Sequence, residues 1–211
     1  MVQQVSPPSG FTGVGINAPV DILFNKPVDG ASLGGVTLMQ GSSVVPTNTS
    51  LYDADRGIQL RPLVPLATST TYTINVTGVL DITGNAQSSF PSQSFTTGTG
   101  TDLVTPTVVS TYPTSGQTNI PVNAALQAVF SQAMNPASFD ANNTFTLRDA
   151  ANNVVPATIT FSADFKTVTL QPNSNLIGAG ATYYFEISYQ AQLWDVGENV
   201  LSYGYINFTT Q

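Results

Sequence analysis

Val20-Asp21-Ile22-Leu23-Phe24-Asn25 and, 106 residues further on, Leu126-Gln127-Ala128-Val129-Phe130-Ser131 are the stretches that decide how this chain is built. Val20, Ile22 and Phe24 point one way, with polar Asp21 between the first two, and Leu126, Ala128 and Phe130 do the same in the second stretch. A period of two places alternate side chains on opposite faces, so each stretch predicts a strand with one buried face. The pattern recurs outward along the chain. Tyr72, Ile74 and Val76 alternate with Thr73 and Asn75, and Tyr183, Phe185, Ile187 and Tyr189 alternate with Tyr184, Glu186 and Ser188. Fourteen Pro and 17 Gly supply turns at short intervals, which fits many short strands in an all-β sandwich. Helix is confined to single turns at 29–33 and 135–139, where Asp29 or Asn135 can cap and Pro136 suits the first helical position.

The two opening stretches are parts of a longer duplication. Ser9-Gly10 returns as Ser115-Gly116, Val44-Val45-Pro46 as Val154-Val155-Pro156, and Leu60-Arg61-Pro62 as Leu170-Gln171-Pro172. Thr71-Tyr72 returns as Thr182-Tyr183, Asp81 with Asn85 as Asp195 with Asn199, and Phe95-Thr96-Thr97 as Phe208-Thr209-Thr210. The offset drifts from 106 to 114 and back to 113, as it does when loops differ in length between two copies of one fold. Gly98-Thr99-Gly100-Thr101-Asp102-Leu103-Val104-Thr105-Pro106 lies between the copies and reads as a short linker. The expected domains are residues 1–99 and 100–211, each a sandwich of about seven strands.

A length of 211 residues suits two domains of about 100 each. Charged residues are 8% of the chain, against a usual share of about 25%, so Ser, Thr, Asn and Gln must carry the surface. Five basic and 12 acidic residues give a net charge of -7, and nucleic-acid affinity needs clustered Lys and Arg; a nucleic-acid partner is excluded. Cys and His are both absent. That removes disulfides, thiolate zinc sites, Cys nucleophiles and His bases, and leaves calcium as the one metal the side chains could hold. No run reaches the roughly 20 apolar residues of a membrane helix, so membrane insertion is not expected. Residues 1–8 lack the basic and apolar regions of a signal peptide, and the chain reads as a fragment beginning at Met1.

The second copy carries Pro113-x-x-Gly116, Asn119-x-Pro121-Val122 and Phe130-Ser131-x-x-Met134-Asn135 in order. Leu170-x-Pro172, Leu176, Thr182-Tyr183, the Asp195-to-Asn199 loop and the closing Phe208-Thr209-Thr210 follow. This order resembles the bacterial Ig-like domain family associated with S-layer proteins, in two tandem copies. The first copy departs where Phe24-Asn25-Lys26-Pro27-Val28-Asp29 replaces the Phe-Ser-x-x-Met-Asn form. The resemblance implies an extracellular or cell-surface setting, neighbouring Ig-like domains of the same chain as partners, and modules of S-layers, adhesins or secreted enzymes. It implies no shared active site.

Candidate sites are few. Tyr72 and Tyr183, near the start of the penultimate strand, can hydrogen-bond back to upstream backbone and pin a corner of the sandwich. Asp53, Asp55 and Asp81 are the candidate calcium ligands, although Asp53-Ala54-Asp55-Arg56-Gly57 is equally what a hairpin turn selects. Asp81 and Asp195 also suit Asx-turns. No cofactor is expected and no catalytic constellation stands out. The two glutamates are Glu186, at an outward strand position, and Glu198, in a loop; a glycosidase needs two acids facing a cleft, and the expectation is that the protein is not an enzyme. Of 20 aromatics, six precede residue 100 and fourteen follow it. Tyr184, Trp194, Tyr203 and Tyr205 cannot all face inward, which makes them candidates for binding carbohydrate or a cell-surface protein; packing of Trp194 over the sandwich end is the alternative.

Overall fold

In the computed structural model, which describes residues 1–211, the alternating stretches are strands. The chain divides into two units, the first over Met1–Leu103 with Val196–Glu198 and the second over Val104–Asp195 and Asn199–Gln211. The first unit runs β1 (Val2–Ser6), β2 (Thr12–Val14), β3 (Val20–Phe24), β4 (Val36–Gln40), β5 (Ser43–Val44), β6 (Thr47–Tyr52), β7 (Gly57–Pro62), β8 (Thr71–Val76) and β9 (Gln93–Thr97). One sheet has the order β1-β3-β7-β6 and the other β2-β9-β8-β4-β5. Seven strands form the two faces, and the short β2 and β5 extend the edges. All pairings are antiparallel except that of β2 with β9.

The second unit repeats this plan with β10 (Val108–Tyr112), β11 (Gln117–Ile120), β12 (Leu126–Phe130), β13 (Phe145–Asp149), β14 (Ala157–Phe161), β15 (Thr167–Pro172), β16 (Thr182–Ile187), β17 (Leu193–Trp194), β18 (Val200–Leu201) and β19 (Gly204–Thr210). Its sheets have the orders β10-β12-β15-β14 and β11-β19-β16-β13, with β17 and β18 as a separate hairpin. Again one pairing is parallel, β11 with β19. Each copy is an Ig-like antiparallel sandwich. The expected single turns are 3₁₀ segments at Gly30–Gly35 and Pro136–Ser138. Asp29 Oδ1 accepts from the Ala31 N–H and Asn135 Oδ1 from the Ala137 N–H, both at 2.9 Å.

The inward faces bury Val20, Ile22 and Phe24 against Ile58, Leu60, Tyr72, Ile74 and Phe95 in the first unit. In the second, Leu126, Ala128 and Phe130 join Leu170, Phe185, Ile206 and Phe208. Six of the fourteen aromatics after residue 100 are buried, against three of the six before it. Phe139 meets Phe130, Phe145 and Phe161 edge to face at centroid distances of 5.2–6.1 Å, a favoured geometry for ring quadrupoles. Two readings of the alternation need correction. Asp21 is buried rather than solvent-facing, and accepts from the Gln59 side-chain amide at 3.0 Å. Tyr189 is not inward: β16 ends at Ile187, Ser188 takes a left-handed φ of 56°, and the chain turns Tyr189 out to solvent.

Candidate functional site

The corner tyrosines occupy equivalent places. The Tyr72 hydroxyl accepts from the Ala67 N–H and the Tyr183 hydroxyl from the Ile177 N–H, each at 2.8 Å. Their rings stack on Phe95 and Phe208, both at 5.8 Å. A phenol that is apolar at the ring and bonded at the tip closes the connection leading into β8 or β16 without a buried unsatisfied group.

The acid-bearing loops are built as turns. Asp53, Ala54 and Asp55 have φ of 53°, 51° and 64° between β6 and β7. Arg56 pairs with Asp53 at 2.8 Å. Gly57 follows because a side chain there would meet the Tyr52 ring at 2.3 Å. Asp81 Oδ1 accepts from the Thr83 N–H and hydroxyl and from the Asn85 N–H, at 2.6–2.9 Å, and Asn85 Nδ2 reaches Oδ2 at 3.0 Å. These donors, the Thr83 hydroxyl foremost, hold the Asp81 carboxyl well below its ordinary range. The Asp195 loop repeats the bonds to Asn199 at 2.8 and 3.1 Å. The structure does not bring Asp53, Asp55 and Asp81 together into a three-acid group able to hold an ion.

The second unit differs from the first on the outer face of β13, β16 and β19. Glu186 lies on the outward parity of β16 but is 5% exposed, contrary to the solvent-facing position expected of it. Its Oε2 accepts from the Thr146 hydroxyl at 2.9 Å and from Arg148 Nε at 2.8 Å, and Arg148 also donates to the Asn152 carbonyl at 3.1 Å. A buried carboxylate needs this pairing, since an unpaired charge there would be costly. Across the strands Thr146 faces Glu186, Glu186 faces Tyr205, and Arg148 faces Tyr184. Tyr184 meets Tyr205 edge to face at 5.7 Å, and Tyr189 meets Tyr205 at 5.2 Å. Tyr189 and Tyr205 remain about half exposed.

Of the four aromatics picked from the sequence, Tyr184 and Tyr205 come together. Tyr203 is exposed just before β19, and Trp194 is half-buried on β17 with its indole N–H enclosed and unpaired. Sequence reasoning missed Tyr189, because strict alternation assigned it to the core, and missed Arg148 and Thr146, whose link to Glu186 depends on cross-strand register. In the first unit Thr37 faces Asn75 and Met39 faces Thr73 at the matching places, so the ion pair and the tyrosine cluster belong to the second copy alone.

No curated protein matches the chain. Among solved structures, CopC from Methylosinus trichosporium OB3b is 14% identical over 50% of this chain and 93% of its own, with a TM-score of 0.40. The N-terminal part of the bacterial S-layer protein SbsC is 14% identical over 100% of this chain and 43% of its own, at 0.36. L,D-transpeptidase 3 from Mycobacterium tuberculosis is 13% identical over 100% and 90%, at 0.35. Likenesses this distant carry no functional inference. The family model described as a bacterial Ig-like domain matches twice, over residues 1–97 and 102–210. With one match on each sandwich, the chain belongs to the bacterial Ig-like domain family, in two tandem copies.

Proposed function

We propose that the tandem is a mechanical spacer in a bacterial cell-surface or secreted multidomain protein, of the stalk or lattice kind. The observation that carries this reading is the parallel pairing of an early strand with the last strand in both units. Thr12 faces Thr96 and Val14 faces Thr97 in one, and Gln117 faces Phe208 and Ile120 faces Thr210 in the other. The Thr96 N–H donates to the Phe11 carbonyl and the Gly98 N–H to the Val14 carbonyl at 2.8 Å; the Gln211 N–H donates to the Ile120 carbonyl at 2.9 Å. Pulling the early strand (β2 or β11) backward and the last strand (β9 or β19) forward loads these bonds together, in shear, rather than one after another. Stretching the chain between its ends by force spectroscopy tests this. Two unfolding events are expected, and Thr96→Pro, which deletes one clamp donor, should lower the force of one of them. An unchanged force would remove the clamp.

A second reading rests on the second unit's outer face, where the first copy has no aromatic cluster or ion pair. Tyr184, Tyr189 and Tyr205 offer ring surface beside a polar group held by Arg148, a combination suited to a sugar ring. Titration with soluble oligosaccharides, followed by NMR shifts of the tyrosine ring protons, would detect it. Tyr205→Ala should abolish any shift. Shifts that survive the substitution count against this face.

A further inference from the structure

A strand at the edge of a sheet exposes a row of N–H and C=O groups, and proteins usually blunt such edges with charge, proline, a bulge or short length. Most edges of these sandwiches are blunted. β1, β2, β10 and β11 shift register against their partners. β5, β17 and β18 have two residues each, and the Arg148–Val154 bridge continues beyond β13. β6 and β14 are regular edges, in unbroken register along their length. Their sequences diverge. β6 reads Thr47-Asn48-Thr49-Ser50-Leu51, with Arg61 beside Asn48 on the next strand; the matching stretch of β14 reads Ala157-Thr158-Ile159-Thr160-Phe161, with Gln171 in that place. The second copy has the stronger strand formers, and no charged residue stands between Asp149 and Asp164.

The ladder fixes which backbone groups β14 presents. The Asn173 N–H donates to the Pro156 carbonyl and the Ser162 N–H to the Thr167 carbonyl, both at 2.9 Å. Bonded and non-bonded pairs alternate along an antiparallel ladder. Thr158 and Thr160 therefore bond to Gln171 and Thr169, while the N–H and C=O of Ala157, Ile159 and Phe161 face away from β15, onto the open side. Pro156 does not guard this edge, because its ring takes the place of an N–H that would have pointed at β15.

We propose that β14 pairs antiparallel with β14 of a second copy of this chain, about a twofold axis at Ile159, joining two four-stranded sheets into one. In this register Ile159 faces its own counterpart and Ala157 faces Phe161 of the other copy, each pair exchanging two hydrogen bonds from the groups left open. The strand is complementary to itself. Ala157, Ile159 and Phe161 lie half-buried against the core, and the large Phe161 ring arrives beside the small Ala157. On the outer face, exposed Thr158 stands opposite Thr160, a cross-strand pair that stabilises sheets. A self-complementary strand closes a twofold dimer, which makes a second copy the occupant. Charge agrees: each copy carries a net -7, and this uncharged stretch is where two copies approach with least repulsion. One short edge is small beside the roughly 1,200–2,000 Å² of a stable interface, so the pairing is weak in free solution and gains when many copies share one surface. The inference goes beyond the spacer reading, which needs no lateral contact.

The test follows amide exchange by NMR on the full chain from about 10 μM to about 1 mM. The Ile159 N–H is expected to slow about fourfold across that range, the change for a dissociation constant near 100 μM. The Thr158 and Thr160 N–H groups, already in the ladder, should stay constant. Thr158→Lys with Thr160→Lys sets like charges opposite each other across the axis, on exposed positions that leave the fold intact, and should abolish the slowing; Thr158→Glu with Thr160→Glu should do the same. Mixing the lysine and glutamate chains should restore it, because the register then sets opposite charges face to face. Constant exchange at Ile159 at every concentration would overturn the proposal. So would slowing that persists in either charged chain, or a mixture that fails to restore it. None of these results alters the force expected of the strand clamps, so the two readings fail separately.

Discussion

At the scale of single residues, two kinds of polar group are enclosed. The corner tyrosines were within reach of sequence reasoning because Thr-Tyr recurs at matching positions; the partner N–H groups of Ala67 and Ile177 were not, since they lie on connections without a period. Tyr72→Phe and Tyr183→Phe each remove the acceptor of a part-buried N–H bond, and each should cost on the order of 1 kcal/mol. Urea denaturation of both variants measures this, and unchanged midpoints would remove the corner bond as a stabilising contact. Glu186 illustrates a limit of pattern reading. Its parity is outward, but parity says nothing about what lies over a face. Here tyrosines Tyr184 and Tyr205 flank it and Arg148 closes the site, with side-chain exposures of 6% for Glu186 and 15% for Arg148. Arg148→Met would strand the carboxylate and should cost about 3–5 kcal/mol, whereas Arg148→Met combined with Glu186→Leu should recover much of that loss. A double variant no more stable than Arg148→Met would show that the charge pairing is not the source of the effect.

At the scale of elements, strands were the legible part because burial on one face imposes a period of two on the sequence itself. Loops were less legible: Asp53-Ala54-Asp55 spells a calcium-like spacing, and only the three successive positive φ values reveal a turn, whose acids form no three-acid group with Asp81. The Asp-to-Asn loops carry a pH signature instead. Asp81, Asp149 and Asp164 are all held below the ordinary aspartate value by hydroxyl, amide and backbone donors. A carboxyl depressed in the folded state contributes stability that is complete above its unfolded value, near 3.9, and is lost as pH falls toward the folded value. The acid limb of a stability-versus-pH curve should therefore fall below about pH 4. Asp81→Asn should lower stability at neutral pH and flatten that limb, as read by thermal melts at intervals of pH. A variant whose curve runs parallel to the parent's would show that the Asp81 bonds contribute nothing on folding.

At the scale of the whole molecule, the duplication was readable because two copies preserve the order of their motifs while loop lengths drift. The extent of the linker was not, because its attachment depends on one side chain far away in sequence. Asn17 grips Asp102 at two points: its Nδ2 donates to the Asp102 carbonyl at 3.0 Å and its Oδ1 accepts from the Asp102 N–H at 2.7 Å. The Ile16 N–H donates to the Gly100 carbonyl at 3.0 Å. Gly15 permits this approach, since a Cβ there would lie 2.9 Å from the Asp102 nitrogen. We propose that each half folds on its own, with a boundary near residue 100 and with residues 98–102 belonging structurally to the first half. Residues 1–103 expressed alone should then unfold in one cooperative transition. Ending the piece at Thr97 removes the two Asn17 bonds, the Ile16 bond, the Gly98 N–H to Val14 carbonyl bond and the Ser69 N–H to Gly98 carbonyl bond. At about 1 kcal/mol each these set an upper bound near 5 kcal/mol, reduced by the freedom the released segment regains. Chemical denaturation of the two pieces should thus separate them by a clear margin, with Asn17→Ala in the longer piece falling between. A longer piece that remains unstructured would end the two-domain reading, and equal midpoints for the two lengths would show that the linker is not part of the first fold.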